Sequence, residues 1–154
     1  IGAHNTIQFD DREPMPRLGR FLWGEWLRTE WVRGVEERGG GASASASYRD
    51  YRGARHERQV QLAEAELQVT DRVGGFTRRA VLRWRLRPGD WTLAGDEVTD
   101  GRHRLRVTAD VPVVRVELVS GWESRYYLHR SEIPVLEVEV ASPSTIVTSY
   151  RWQE

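Results

Sequence analysis

The sequence predicts an all-β chain folded as an antiparallel, two-layer β-sandwich with little helix. Three observations predict it: apolar residues recur at every second position, turn residues interrupt them at short intervals, and the spacing of an amphipathic helix is hard to find. The clearest case runs from Arg79 to Arg87, with Ala80, Leu82, Trp84 and Leu86 on one face. Arg79, Arg83, Arg85 and Arg87 take the other face, which is the period of a half-buried strand. Pro88-Gly89-Asp90 then supplies a turn.

Taken in order, residues 1–50 form a less regular leading segment of what reads as one sandwich domain over 1–154. His4-Asn5-Thr6-Ile7 opens a strand, and Ile1 already stands inside it, so we expect a segment of a longer protein. Arg20 to Arg33, with Phe21, Trp23, Trp26, Leu27 and Trp31, reads as either a short helix or an aromatic-rich strand. Gly39-Gly40-Gly41 and the Ala-Ser alternation of Ala42 to Ser47 have the composition of a linker. Strict alternation also fits a closely packed strand, which is the expectation, because Tyr48 to Tyr51 continues it with no break in composition. Between Val60 and Val69 the apolar parity slips, which places a hairpin turn near Glu64-Ala65. Further on, Leu105 and Val107, then Val114, Val116 and Leu118, then Leu136, Val138 and Val140 alternate with charged residues. Gly74-Gly75, Gly95-Asp96, Asp100-Gly101, Pro112, Gly121, Pro134 and Pro143 separate these strands. The seven tryptophans are a natural core filling, so Trp23, Trp26 and Trp31 are expected mostly inside; stacking on sugar rings is the alternative.

Composition excludes several classes of function. Basic and acidic residues balance at 23 each, so no overall field draws the chain to nucleic acid or an anionic membrane, and neither is expected as a partner. All the basic residues are arginine, as a GC-rich genome would produce. No apolar run approaches the roughly 18 residues of a membrane-spanning helix. Cysteine is absent, which removes disulfides, thiolate metal sites and cysteine nucleophiles.

Candidate chemistry is sparse. No serine elbow, phosphate loop or dinucleotide fingerprint occurs, and the four histidines show no paired ligand spacing. His103 and His129 read as surface residues. Asp10-Asp11 and Glu36-Glu37 are adjacent, so in extended chain they point apart and make poor acid–base partners. His56 lies in the polar run from Tyr51 to Arg58, which suits an anionic ligand or a solvated strand end equally. Arg83, Arg85 and Arg87 could align with Arg102, Arg104 and Arg106 to bind anions. The expected arrangement is cross-strand pairing with Glu137 and Glu139 instead.

Several segments, in order, resemble the heparinase II/III-like polysaccharide lyases. His4-Asn5-Thr6-Ile7-Gln8-Phe9-Asp10 is similar to their His-Asn-Thr strand, and Tyr51-Arg52 through His56-Glu57-Arg58-Gln59-Val60 to their Gly-Tyr and His-Arg-Arg segment. Leu67 to Asp71 resembles their Val-x-Asp strand; Gly121 to Tyr127 and Ile133 to Val138 resemble their closing strands. The likeness spans nearly the whole chain. It implies the C-terminal β-sandwich of a bacterial enzyme that cleaves uronic-acid-containing acidic polysaccharide by β-elimination. The partners it implies are that polymer and an N-terminal helical toroid, in the periplasm or outside the cell. Tyr51, Arg55, His56 and Arg58 are the candidates for binding the polymer. His4 matches a zinc ligand of metal-containing relatives, so zinc is implied for the full-length parent. One ligand does not hold a catalytic zinc, and the toroid's residues lie outside this sequence, so no metal bound by this chain alone and no activity of the isolated chain are expected. The alternative is a non-catalytic module that binds acidic glycan or serves structure.

Overall fold

A computed structural model describes residues 1–153 as twelve strands and no helix. In chain order these are β1 (Ile7–Phe9), β2 (Arg28–Arg38), β3 (Gly41–Arg49), β4 (Arg55–Leu62), β5 (Glu66–Gly74) and β6 (Ala80–Arg85). Then follow β7 (Thr92–Ala94), β8 (Glu97–Thr99), β9 (His103–Ala109), β10 (Val113–Glu123), β11 (Ser131–Val140) and β12 (Ser144–Trp152). They form two antiparallel sheets: four strands in the order β1-β6-β11-β10, and eight in the order β2-β3-β4-β5-β12-β9-β8-β7. The all-β sandwich is what two-residue alternation dictates.

The core lies between the sheets. Ile7, Leu82, Leu136, Val138 and Val140 of the smaller sheet meet Val73, Val98, Leu105, Val107 and Ile146 of the larger in one apolar cluster. Each of these side chains leaves water almost completely, which stabilises the fold by about 1.5–3 kcal/mol per residue before entropy is counted. No residue of β2 or β3 belongs to that cluster. The eight-stranded sheet therefore extends past the four-stranded one, and β2 is exposed almost throughout.

Most strands fall where the alternation put them. The Ala-Ser run is strand β3, and the chain between β4 and β5 turns at residues 63–65. Several expectations are corrected. The stretch from Arg20 to Arg33 contains no helix; it is irregular up to β2, apart from a bridge between Arg17 and Trp23. Its aromatic residues do not fill the core: Phe21 is 87% exposed and Trp26 74%. Local hydrophobicity does not distinguish a core residue from one on an ordered surface loop. Val114 is exposed because the β10–β11 register shifts between Val113 and Arg115, leaving Val114 as the extra residue of a bulge. His103 is half-buried, with its imidazole on the Asp100 carboxylate at 3.0 Å and its ring stacked on Tyr150.

The acidic pair Asp10-Asp11 sits in a turn with both residues at positive φ rather than in extended chain. The Asp10 carboxylate accepts the backbone N–H groups of Thr77, Arg78 and Arg79, and Asp11 accepts the Arg79 guanidinium. Both are committed to anchoring the leading segment onto the smaller sheet. Arg83 meets Glu137 across the β6–β11 pair at 2.6 Å, as expected, and β6 does not neighbour β9.

Candidate functional site

The period of two places His56 and Arg58 on the face of β4 that looks toward the smaller sheet. On β5 the same rule aligns Asp71 with Val69 and Val73, so a carboxylate stands on the core face. Register then brings Arg58 directly opposite Asp71. Asp71 is wholly buried and His56 is 3% exposed.

A buried carboxylate persists only when its lone pairs are satisfied. Arg58 donates from Nε to Asp71 Oδ1 at 2.6 Å and from its second arm to Oδ2 at 3.0 Å, while His56 Nε2 donates to Oδ1 at 2.6 Å. Burial pushes the Asp71 carboxyl upward, but the bonds from His56 and Arg58 outweigh it and hold the group ionised below the ordinary carboxyl range. Burial also raises the neighbouring Tyr48 phenol to about 12, against a side-chain bond from Thr6 that lowers it. The Tyr48 ring meets the His56 ring edge-on at 5.4 Å.

This cluster carries the segment ahead of β1. The remaining Arg58 arm donates to the backbone oxygen of Asn5 at 2.5 Å, and Asn5 Oδ1 accepts the Arg85 N–H at 2.7 Å. Thr6 O accepts the Arg83 N–H at 3.0 Å. Residues 5 and 6 are thus strapped to both sheets, while His4 beside them is exposed. On the other side of Arg58, its guanidinium lies 5.2 Å from the Trp84 ring centre, and the Trp84 indole N–H donates to buried Thr148 at 3.0 Å. Trp84, Asn5, Leu67, Trp91 and Tyr150 line a cavity of about 200 Å³ between the sheets.

The four residues singled out for polymer binding do not form one constellation. His56 and Arg58 lie together in the buried cluster. Arg55 stands on the opposite face of β4, bonded to Glu30 at 2.5 Å and near Glu57 at 3.4 Å. Glu30 is held at about 2 by bonds from Arg49, Ser47 and Arg55. Tyr51 sits in the β3–β4 turn, its ring 5.3 Å from the Arg12 guanidinium and 5.5 Å from that of Arg52. Buried Asp50 closes this turn by accepting the N–H groups of Arg52 and Ala54, and Gly75 packs against it so closely that a Cβ would stand 2.5 Å from Gly53 O.

Asn5, Thr6, Tyr48, Asp71 and Trp84 were not singled out from sequence as site residues. For Asp71 a signal existed: a carboxylate in phase with Val69 and Val73 must be either paired or functional. Zinc does not fit the residues present. Among the described residues no three His, Cys, Asp or Glu side chains converge, and the buried Asp71 is already taken by His56 and Arg58.

Comparison with known proteins decides the family. The model of the heparinase II/III-like C-terminal domain matches residues 1–144. The chain belongs to the heparinase II/III-like family. This heparinase II/III-like domain resembles a solved heparinase III, the BT4657 gene product, with a TM-score of 0.77 at 15% identity over 97% of its own length and 24% of that chain. A second heparinase III structure gives 0.75 at 12% identity, over 99% and 24%. The heparan sulfate lyase HepC of Pedobacter heparinus gives 0.71 at 16%, over 99% and 25%. At such identities these structures establish the shared fold, and the domain spans about a quarter of their length. No curated protein matches the sequence.

Proposed function

We propose that this domain is the C-terminal β-sandwich of a lyase that cleaves uronic-acid-containing acidic polysaccharide by β-elimination, and that it is inactive alone. The observation that carries the reading is the His4-Asn5-Thr6 segment, strapped to both sheets through Arg58, Arg83 and Arg85 while His4 itself is exposed. Such a segment is a rigid mount for a group that acts on substrate bound outside the sandwich. In β-elimination a base removes the C5 proton, the uronate carboxylate is neutralised and the 4-linked oxygen leaves. His4 is this domain's contribution there, and any zinc of the longer protein takes its remaining ligands from outside residues 1–154. His56 and Arg58 act from beneath by fixing Asn5. Tyr51 and Arg55 are the direct polymer contacts in this reading, with an N-terminal toroid completing the cleft in a periplasmic or secreted enzyme.

The isolated domain mixed with heparan sulfate or alginate should release no unsaturated uronate. In a longer protein carrying the domain, His4→Ala should lower zinc content together with kcat/KM, the latter by about 10²-fold or more, because a catalytic zinc has only about three protein ligands to lose. Product formation by the domain alone, or an undiminished His4→Ala enzyme, overturns the reading.

A further inference from the structure

Most arginines of this domain meet carboxylates; among the described residues Arg52, Arg85, Arg102 and Arg130 are scattered exceptions, and one stretch concentrates four more. On the outer sheet faces the pairs include Arg83 with Glu137, Arg72 with Glu57, Arg104 with Glu97 and Arg106 with Asp96. Between residues 17 and 33 the pattern changes. Among the described residues, Arg17, Arg20, Arg28 and Arg33 have no carboxylate within ion-pair distance. Glu25 and Glu30 are the acids of this stretch, and Glu30 is taken by Arg49 and Arg55. Three of the four guanidiniums lie over aromatic rings instead: Arg17 over Trp23 at 5.9 Å, Arg20 over Phe21 at 5.4 Å and Arg33 over Trp31 at 5.5 Å.

The segment is built rather than loose. Arg17 donates to Gly19 O at 3.0 Å and to Arg20 O at 3.1 Å, Leu18 N–H donates to Leu22 O, and Gly24 N–H to Pro16 O. What it presents is Phe21, Trp26, Leu18 and Leu22, each at least 60% exposed, with cationic groups among them.

We propose that residues 17–33 are a second, non-catalytic site for a sulfated or carboxylated glycan. Charge complementarity selects the occupant. A pyranose offers an apolar C–H face to an aromatic ring and anionic groups at its edge, so one ligand satisfies both the exposed rings and the unpaired guanidinium forks. A protein surface covering the apolar side chains would have to supply carboxylates or strip water from the four cations. The site deepens the acidic-polysaccharide reading and rests on it only for the choice of glycan. It does not require the domain to belong to an active enzyme.

The test uses the 154-residue chain titrated with a size-defined heparan sulfate oligosaccharide, read by tryptophan fluorescence and calorimetry. The combined variant Arg20→Ala, Arg28→Ala, Arg33→Ala should bind at least tenfold more weakly with a shallower salt dependence. Trp26→Ala should weaken binding severalfold. Arg104→Ala with Arg106→Ala removes like charge from the outer sheet face and should change little. Arg20→Ala alone, at a side chain with no hydrogen bond to the fold, keeps the test decisive should the triple variant lose stability; it should weaken binding about threefold. The proposal is overturned if the wild type does not bind, if the outer-face pair weakens binding as much as the triple variant, or if single-stranded DNA of equal length binds as tightly. A domain that binds the oligosaccharide while the longer protein shows no lyase activity would sink the lyase reading and leave this site standing.

Discussion

Arg55 and Arg58 lie on the same strand, three residues apart, and face opposite sides of the sheet. Arg55 meets Glu30 at 2.5 Å with both side chains partly in water; Arg58 meets Asp71 at 2.6 Å with the carboxylate entirely out of it. The distances are alike and the energetics are not. Water screens the outer pair and will solvate either partner if the other is removed. Burial denies the inner carboxylate that exchange, so Asp71 stays ionised there only because Arg58 and His56 hold it. Orientation, rather than residue type, decides which arginine the fold depends on.

The comparison breaks most directly at Arg58. Arg58→Ala should cost about 3–5 kcal/mol, because it leaves Asp71 buried without its principal partner. Chemical denaturation measures this, and a loss under about 1 kcal/mol would put the two pairs in the same class. Replacing both partners by apolar residues, Arg58→Met with Asp71→Leu, should recover only part of the loss, because buried His56 then lacks its acceptor, while freeing Asn5 from its strap.

Acid tests the same pair. The Asp71 carboxyl lies below its ordinary 3.8 in the folded protein, so its contribution is fully present above that value and is lost as pH falls through the lowered folded one. The midpoint of thermal unfolding should fall in strong acid, and that of the Arg58→Met, Asp71→Leu variant should fall less. Trp84→Phe, which leaves the Thr148 hydroxyl without its indole donor, should cost about 1 kcal/mol by denaturation. Smallest of all is Arg55→Ala, at about 0.2–1 kcal/mol and shrinking further in high salt.

Much of this was legible in the sequence. The alternation of Ala80 to Leu86 and of Leu136 to Val140 marked β6 and β11, and the parity slip near Glu64 marked the β4–β5 hairpin. That hairpin even fixes the site: counting four residues back along each strand from the Leu62–Leu67 pair reaches Arg58 and Asp71. The turn could be placed from sequence, yet its register has to be carried down both strands before the pair emerges. His56 and Arg58 stood out as a polar run, and the family motif around them was readable. Arg55 and Tyr51 stood in that run too, since linear proximity conceals that neighbouring strand residues face opposite ways. The leading segment was not legible, because what holds it is distant. Asp10 folds onto the amides of Thr77, Arg78 and Arg79, and no local pattern announces a contact across so much chain. The bulge at Val114 is equally invisible, since an extra residue leaves the apolar spacing intact and changes only its partner.

The unequal width of the two sheets has a dynamic consequence. The hairpin of β2 and β3 is one layer thick, and its alanines and serines offer little bulk to shield the hydrogen bonds between the strands. Its amide hydrogens should therefore exchange for deuterium well before those of β12, which lies mid-sheet between β5 and β9, so that this flap opens and recloses while the rest of the molecule stays shut.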